Sequence, residues 1–131
     1  MARWSSAALA FAFFSGAVAA DWTAVGKPNE IFSAFADPES IRRNGDLATM
    51  HGLYDFRKQD FTPAGRGLYS TAVLREYDCR GRRVRLLSSI DFSGAMGAGN
   101  PVDTSTDARR WEAVIPGALD DAFWHLACGA K

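Results

Sequence analysis

The chain has 131 residues, 47% of them hydrophobic, with 15 Lys and Arg against 15 Asp and Glu. That length fits about one domain, and a net charge near zero removes the electrostatic case for bulk nucleic-acid binding. No internal repeat or charged low-complexity run is present.

Residues 1–20 read as a signal peptide. Arg3 supplies the positive start, residues 7–14 form a short apolar run, and Val18-Ala19-Ala20 places small residues before a cleavage point at Asp21. The apolar run is well short of the roughly 20 residues needed to span a bilayer. No cysteine lies near the cut, so lipid attachment at a new N-terminal cysteine is excluded. Nothing after residue 21 is apolar for long enough to cross a membrane. The expectation is an exported protein, located in the periplasm, at the cell surface or secreted, with residues 21–131 forming a single domain. Cys79 and Cys128 are the only cysteines. In an oxidising compartment one intramolecular bridge is available to them, closing a loop of about 50 residues and contributing on the order of 4 kcal/mol. Two buried free thiols or an intermolecular bridge are the competing readings.

In chain order, residues 22–25 predict a short strand ended by Gly26-Lys27-Pro28-Asn29, and residues 31–36 a second strand. Asp37-Pro38-Glu39-Ser40 is turn chemistry, and Asn44-Gly45 is a hairpin signal. Residues 47–57 predict a third, aromatic-rich strand, and residues 58–67 a loop. The clearest element is a hairpin that runs over 67–79, turns at Arg80-Gly81-Arg82-Arg83 and returns over 84–92. Alternation places Tyr69, Val73, Tyr77, Cys79, Val84, Leu86, Ile90 and Phe92 on a core face. Glu76, Asp78, Arg83 and Arg85 fall on the other, where opposite charges can face each other across the strands. Leu68, Ala72, Leu74 and Leu87 make that second face less polar than a solvated one, suiting either an interaction surface or a covering loop.

Residues 93–110 are glycine-rich and polar and predict a long loop, and residues 111–115 a last strand. Pro116-Gly117 then opens a helix whose Leu119, Ala122, Phe123 and Leu126 form one apolar stripe. Asp120 and Asp121 in its first turn and His125 near its end suit the helix dipole, and Gly129 closes it. Strands followed by a terminal helix predict an α+β fold: an antiparallel sheet of about five to six strands with the helix packed on one face. The bridge would clamp that helix to the sheet.

Catalytic and metal chemistry find little support. His51 and His125 have no ligand spacing, and a zinc site needs three or four converging ligands. Ser70, Ser88, Ser89 and Ser93 have no base partner in sequence, and no GxSxG is present. The Glu76 and Asp78 pair resembles a glycosidase pair less than it does cross-strand ion pairing. Residues 94–99 read GxxGxG with no following Lys-Ser/Thr, so they are not a phosphate loop. No cofactor is expected. Arg42, Arg43, Arg80, Arg82, Arg83 and Arg85 are the candidate binding surface, a basic patch suited to an acidic partner or, more simply, a solvated turn. Arg75 falls on the core face, where it either pairs with a buried acid or reaches the sheet edge.

Three segments together resemble the surface-adhesin protein E-like domain of bacterial exported proteins. They are Arg75-Glu76-Tyr77-Asp78-Cys79, Arg83-Val84-Arg85-Leu86-Leu87-Ser88-Ser89, and Phe92-Ser93-Gly94-Ala95-Met96-Gly97-Ala98-Gly99. Supporting marks are Trp22, Asp37-Pro38-Glu39-Ser40-Ile41-Arg42-Arg43, Trp111 before Pro116-Gly117, and Ala127-Cys128. The resemblance covers nearly all of residues 21–131. It implies the same sheet, helix and bridge, no catalytic motif, and adhesin-like binding to host extracellular-matrix proteins. The expected function is therefore non-catalytic protein binding. The alternative is a periplasmic binder of a small ligand or envelope component, using the apolar face between sheet and loop.

Overall fold

Alternating and β-branched stretches pair largely in chain order, each new strand beside the one before it except the last. The computed structural model describes residues 21–129. It contains β1 (Thr23–Val25), β2 (Phe32–Asn44), β3 (Leu47–Phe61), β4 (Gly67–Asp78), β5 (Arg83–Phe92), β6 (Pro101–Ser105), β7 (Glu112–Ala113) and a helix, α1 (Leu119–Gly129). β1 to β6 stand in sequence order across one antiparallel sheet, and β7 pairs with the part of β5 that β6 does not reach. This is the predicted α+β architecture. The expected signal peptide, residues 1–20, lies outside the described residues.

Several boundaries differ from expectation, each for a local reason. Asp37-Pro38-Glu39-Ser40 makes its turn-like bonds, with the Glu39 N–H donating to Asp37 Oδ1 and the Ser40 hydroxyl to Asp37 O. The chain nevertheless resumes the same strand, because the Ser40 hydroxyl also accepts the His51 N–H and holds the excursion against β3. The result is a large irregularity inside β2, between Asp37 and Arg42, and not a reversal. The reversal comes at Gly45, whose φ of 62° suits the first central position of a two-residue hairpin turn. β3 runs on to Phe61 through a register shift between Asp55 and Asp60, leaving only a short connection before β4. The predicted 93–110 loop holds a 3-10 turn at Ala95–Gly97 and the edge strand β6. Pro101 begins that strand, a position where a missing N–H is tolerated.

The predicted faces of the central hairpin are correct at its turn end and wrong beyond it. Arg75 pairs with Leu86 but Leu74 pairs with Ser88, so Leu87 is an extra residue, a β-bulge. One extra residue transfers every later side chain to the opposite face. Val84 and Leu86 therefore lie on the helix side, whereas Ile90, opposite Ala72, and Phe92, opposite Ser70, lie on the far side. Tyr69 is exposed and Leu68 is buried, the reverse of the expectation at that end of β4.

The helix-side core joins Val25, Ala34, Ala36, Ala48, Met50, Tyr77, Val84 and Val114 to Phe123 and Ala127 of α1. Small residues line its floor. A Cβ at Gly52 would lie 3.4 Å from the Phe123 ring and 3.2 Å from Val73, so glycine there lets the ring rest on the sheet. The Trp124 indole N–H donates to Asp78 O at 2.9 Å. Cys79, just past β4, is bonded to Cys128 in α1 with a Cα–Cα distance of 5.4 Å across 49 residues.

Removing the bridge by Cys79→Ser with Cys128→Ser should lower unfolding free energy by about 4 kcal/mol. Phe123→Ala should cost about 3–5 kcal/mol. Urea denaturation of the oxidised proteins measures both, and an unchanged midpoint for the double serine variant would show that α1 holds without its clamp.

Candidate functional site

The six arginines of the predicted patch do not form one surface. Arg83 and Arg85 lie on the far side of the sheet, each opposite its cross-strand acid. Arg83 donates through two nitrogens to Asp78 Oδ2 at 2.8 and 3.1 Å, and Arg85 reaches Glu76 Oε1 at 2.8 Å. Arg82, in the left-handed region with φ 52°, turns to the helix, where it meets Asp121 at 2.8 Å and stacks over Trp124 at 4.5 Å. Arg42 donates to the carbonyls of Glu39 and Ile41, and Arg43 to those of Gly45 and Cys128. Arg80 alone projects freely, with a side chain 84% exposed and Asp46 3.8 Å away.

Trp111, in the connection between β6 and β7, lies against two members of this group. The Arg85 and Arg83 guanidinium carbons lie 4.6 and 5.0 Å from its ring centre. The acids, arginines and indole thus form a stack along the edge of β5, in which each cation is both ion-paired and covered by an aromatic face. The signal in the sequence is the run Arg109-Arg110-Trp111. The pairing of β7 with Arg83 and Val84 and the Arg109 N–H bond to Leu86 O bring that run to the hairpin.

Arg75 pairs with an acid, but with the part-exposed Asp120 and not with a buried one. It bonds Asp120 at 2.9 Å and lies over the rings of Tyr54 and Phe123 at 5.2 and 5.7 Å. Burial pushes the Tyr54 and Tyr77 hydroxyls up beyond their ordinary values, so both stay neutral at neutral pH. Burial opposes the Arg75 charge, but the tyrosine oxygens about the guanidinium and the Asp120 carboxylate keep it protonated. It connects sheet to helix.

On the far side of the sheet, Leu53, Leu68 and Ser70 are buried. Gly94–Gly99 fold over part of this face as a tightly bonded loop. The Ser70 hydroxyl donates to Gly94 O at 2.7 Å and accepts the Gly97 N–H at 2.8 Å. Asp55 accepts the Met96 N–H, and Ser93 Oγ accepts the Asn100 N–H. Gly94 is indispensable for its lack of a side chain, since a Cβ there would sit 2.9 Å from Ala98 O. Met96 is held at φ 55° with 39% of its surface exposed. The row Phe35, Leu53, Ala72 and Ile90 crosses four strands beside this loop.

Two concavities lie elsewhere. One, of about 170 Å³, opens at the edge of β5 and is lined by Arg75, Arg85, Arg109, Arg110, Glu112 and Asp120. The other is a shallow groove of about 580 Å³ between Ile31 and the outer part of β3, including Phe56, Lys58 and Asp60. His51 is exposed, and His125 lies 3.3 Å from Asp121, so the histidines share no site. No helix among the described residues is long and apolar enough to cross a membrane.

These features define a bridged antiparallel α+β domain whose chemistry is carried by surface arginine–aromatic stacks and shallow recesses. The sequence profile of the family described as surface-adhesin protein E matches residues 22–129, and the chain belongs to that family. A structure of Haemophilus influenzae protein E is similar at a TM-score of 0.66 and 12% identity, over 82% of this chain and 83% of that one. A second crystal form of that protein gives 0.67 at 12% identity, over 82% and 87%. Protein E from non-typeable Haemophilus influenzae gives 0.59 at 13% identity, over 76% and 71%. At such identities the likeness is one of fold. No curated protein sequence matches the chain.

The stack predicts an acid response. The Gly81 N–H, then the Arg83 side chain and the Arg80 N–H, hold the Asp78 carboxyl below its ordinary value. The Gly117 N–H foremost, then His125 and Arg82, do the same for Asp121. The unfolded chain then takes up protons at a higher pH, around 3.9, than the folded one does. Stability from these groups is fully present above that value and is lost as pH falls through the lower folded values. Urea midpoints followed from pH 7 to pH 2.5 should hold steady and then drop below about pH 4. Asp78→Asn should make the drop shallower, and an equally steep acid limb in that variant would contradict the assignment.

Proposed function

We propose that this protein is an exported, non-catalytic, adhesin-like binding domain that contacts host extracellular-matrix proteins. The domain would be residues 21–131, released after cleavage of a signal peptide at residues 1–20. The observation that carries this reading is membership of the surface-adhesin protein E family over residues 22–129. An oxidised bridge supports an exported location. The use of the Ser70 hydroxyl and the Glu76 and Asp78 carboxylates in structural bonds supports a role other than catalysis. Trp and Arg in partly desolvated stacks are the side chains that dominate binding energy at protein interfaces. The turn arginines, with Arg80 projecting from it and Arg42 and Arg43 on the neighbouring β2, are proposed as the outer, charge-steering part of the contact surface.

The second reading is a periplasmic binder of a small ligand or envelope component. The groove beside Ile31, 65% exposed, favours it, because apolar side chains there lie next to Lys58 and Asp60.

The oxidised protein should bind immobilised laminin or vitronectin saturably, with Arg80→Glu lowering the association rate severalfold at low salt and less at high salt. Absence of saturable binding to either protein would sink the matrix reading. Confinement of the protein to the periplasm on cell fractionation would favour the second.

A further inference from the structure

We infer that the recess at the edge of β5 is a binding pocket for a single carboxylate side chain of a protein partner. The inference deepens the proposed adhesin-like function and rests on it. β6 pairs with residues 89–92 of β5 and β7 with Arg83 and Val84, so the middle of the strand edge is left open. The chain returning from β6 crosses this gap, and the Arg109 N–H donates to Leu86 O at 2.8 Å. That bond brings Arg109 and Arg110 to the recess, whose lining also includes Arg75 and Arg85.

The four guanidinium groups have different states. Arg75, its side chain 19% exposed, is fixed by Asp120 and by the faces of two rings. Arg85 is fixed by Glu76 and by Trp111. Each spends part of its five-donor fork on those partners and keeps the remainder. Arg109 and Arg110 are exposed and have no ion-pair partner among the described residues. One anchored cation, Arg75, and two adaptable ones, Arg109 and Arg110, suit a planar carboxylate, which arginine grips in bidentate fashion, with Arg85 completing the lining from the strand edge.

Size and charge narrow the ligand further. The recess measures about 170 Å³, below the roughly 300–1,000 Å³ of pockets that enclose whole small molecules, and it accommodates the head of one side chain. Arg75, Arg85, Arg109 and Arg110 stand against Asp120, Glu76 and Glu112, a surplus of one positive charge that suits a single carboxylate and disfavours a polyanion. The adjoining Arg82 and Arg83 are already neutralised by Asp121 and Asp78, so no unpaired cationic track continues from the recess. Trp111, next in the chain to Arg110 and stacked on Arg85, is the nearby aromatic side chain.

NMR of the folded, oxidised protein tests the pocket, following backbone amides and arginine Nε–H groups. The probes are a blocked Gly-Glu-Gly peptide, its Gly-Gln-Gly counterpart and a heparin tetrasaccharide. The expected result is saturable shifts at Arg75, Arg85, Arg109 and Arg110 with the Glu peptide, at an affinity about tenfold or more above that for the Gln peptide. Arg109→Ala with Arg110→Ala should abolish them at an unchanged melting temperature. Equal response to both peptides, or none, overturns the proposal. Tighter binding by the tetrasaccharide, with shifts spreading to Arg42, Arg43 and Arg80, overturns it in favour of a polysaccharide surface. The same double variant separates the two levels of the argument. Unchanged matrix-protein binding by the variant, when the wild type binds, rejects the pocket and leaves the function standing. A Glu-selective pocket in a protein that binds no laminin or vitronectin upholds the pocket and rejects the matrix partner.

Discussion

One sheet face must be covered by a single helix of 11 residues, and the rest of the structure follows from that constraint. So short a helix in isolation is marginal in water. It persists because several contacts fix it at once: the Phe123 ring on the bare backbone of Gly52, the indole bond of Trp124 to Asp78, the ion pairs from Arg75 and Arg82 to Asp120 and Asp121, and the covalent link at Cys128. The small side chains of Ala34, Ala36 and Ala48 are the other half of this arrangement, since bulkier residues would lift the helix off the floor. Asp78 ties this packing to the surface. Its carbonyl receives the helix while its carboxylate receives Arg83, so the arginine–indole stack on one face and the helix on the other share a residue.

The far face is solved differently. No second helix covers it among the described residues. Buried Leu53 and Ser70 are instead roofed by a six-residue glycine-containing loop whose shape is dictated by hydrogen bonds to Ser70, Asp55 and Ser93. The bulge at Leu87 completes the arrangement by delivering Phe92 and Ile90 to this side. Without it those side chains would face the helix, and the far face would lose Ile90 from its apolar row. The loop therefore acts as a fixed roof that presents Met96 in one conformation.

Much of this was legible from residue patterns. The hairpin from Gly67 to Phe92 and the terminal helix follow from alternation and from the Leu119-Phe123-Leu126 stripe, and the bridge follows from two cysteines behind a segment that reads as an export signal. The bulge was hidden because Leu86-Leu87 offers two equivalent apolar residues, so alternation alone cannot say which is supernumerary. The Asp37-to-Ser40 excursion misled because its turn bonds are real, and only the long-range bond from His51 to Ser40 returns the chain to its strand. Arg82, Arg83 and Arg85 read as one basic patch because charge in sequence says nothing of side. Strand geometry sends Arg83 and Arg85 one way and the turn sends Arg82 the other. The recess was out of reach of pattern, since Arg109 and Arg110 join Arg75 and Arg85 only through long-range backbone bonds from the segment after β6 to β5.

The covalent loop has a consequence for behaviour under tension. A pull on the two ends of the chain can unravel β1 to β4, but the 49-residue span closed by the bridge cannot lengthen. At roughly 3.3–3.6 Å per residue, this withholds about 160–180 Å of contour length from the applied force. Arg82, Arg83, Arg85, Arg109, Arg110 and Trp111 all lie within that span. A strained molecule thus gives up its first four strands while the segment bearing these side chains stays on a short, unextended tether.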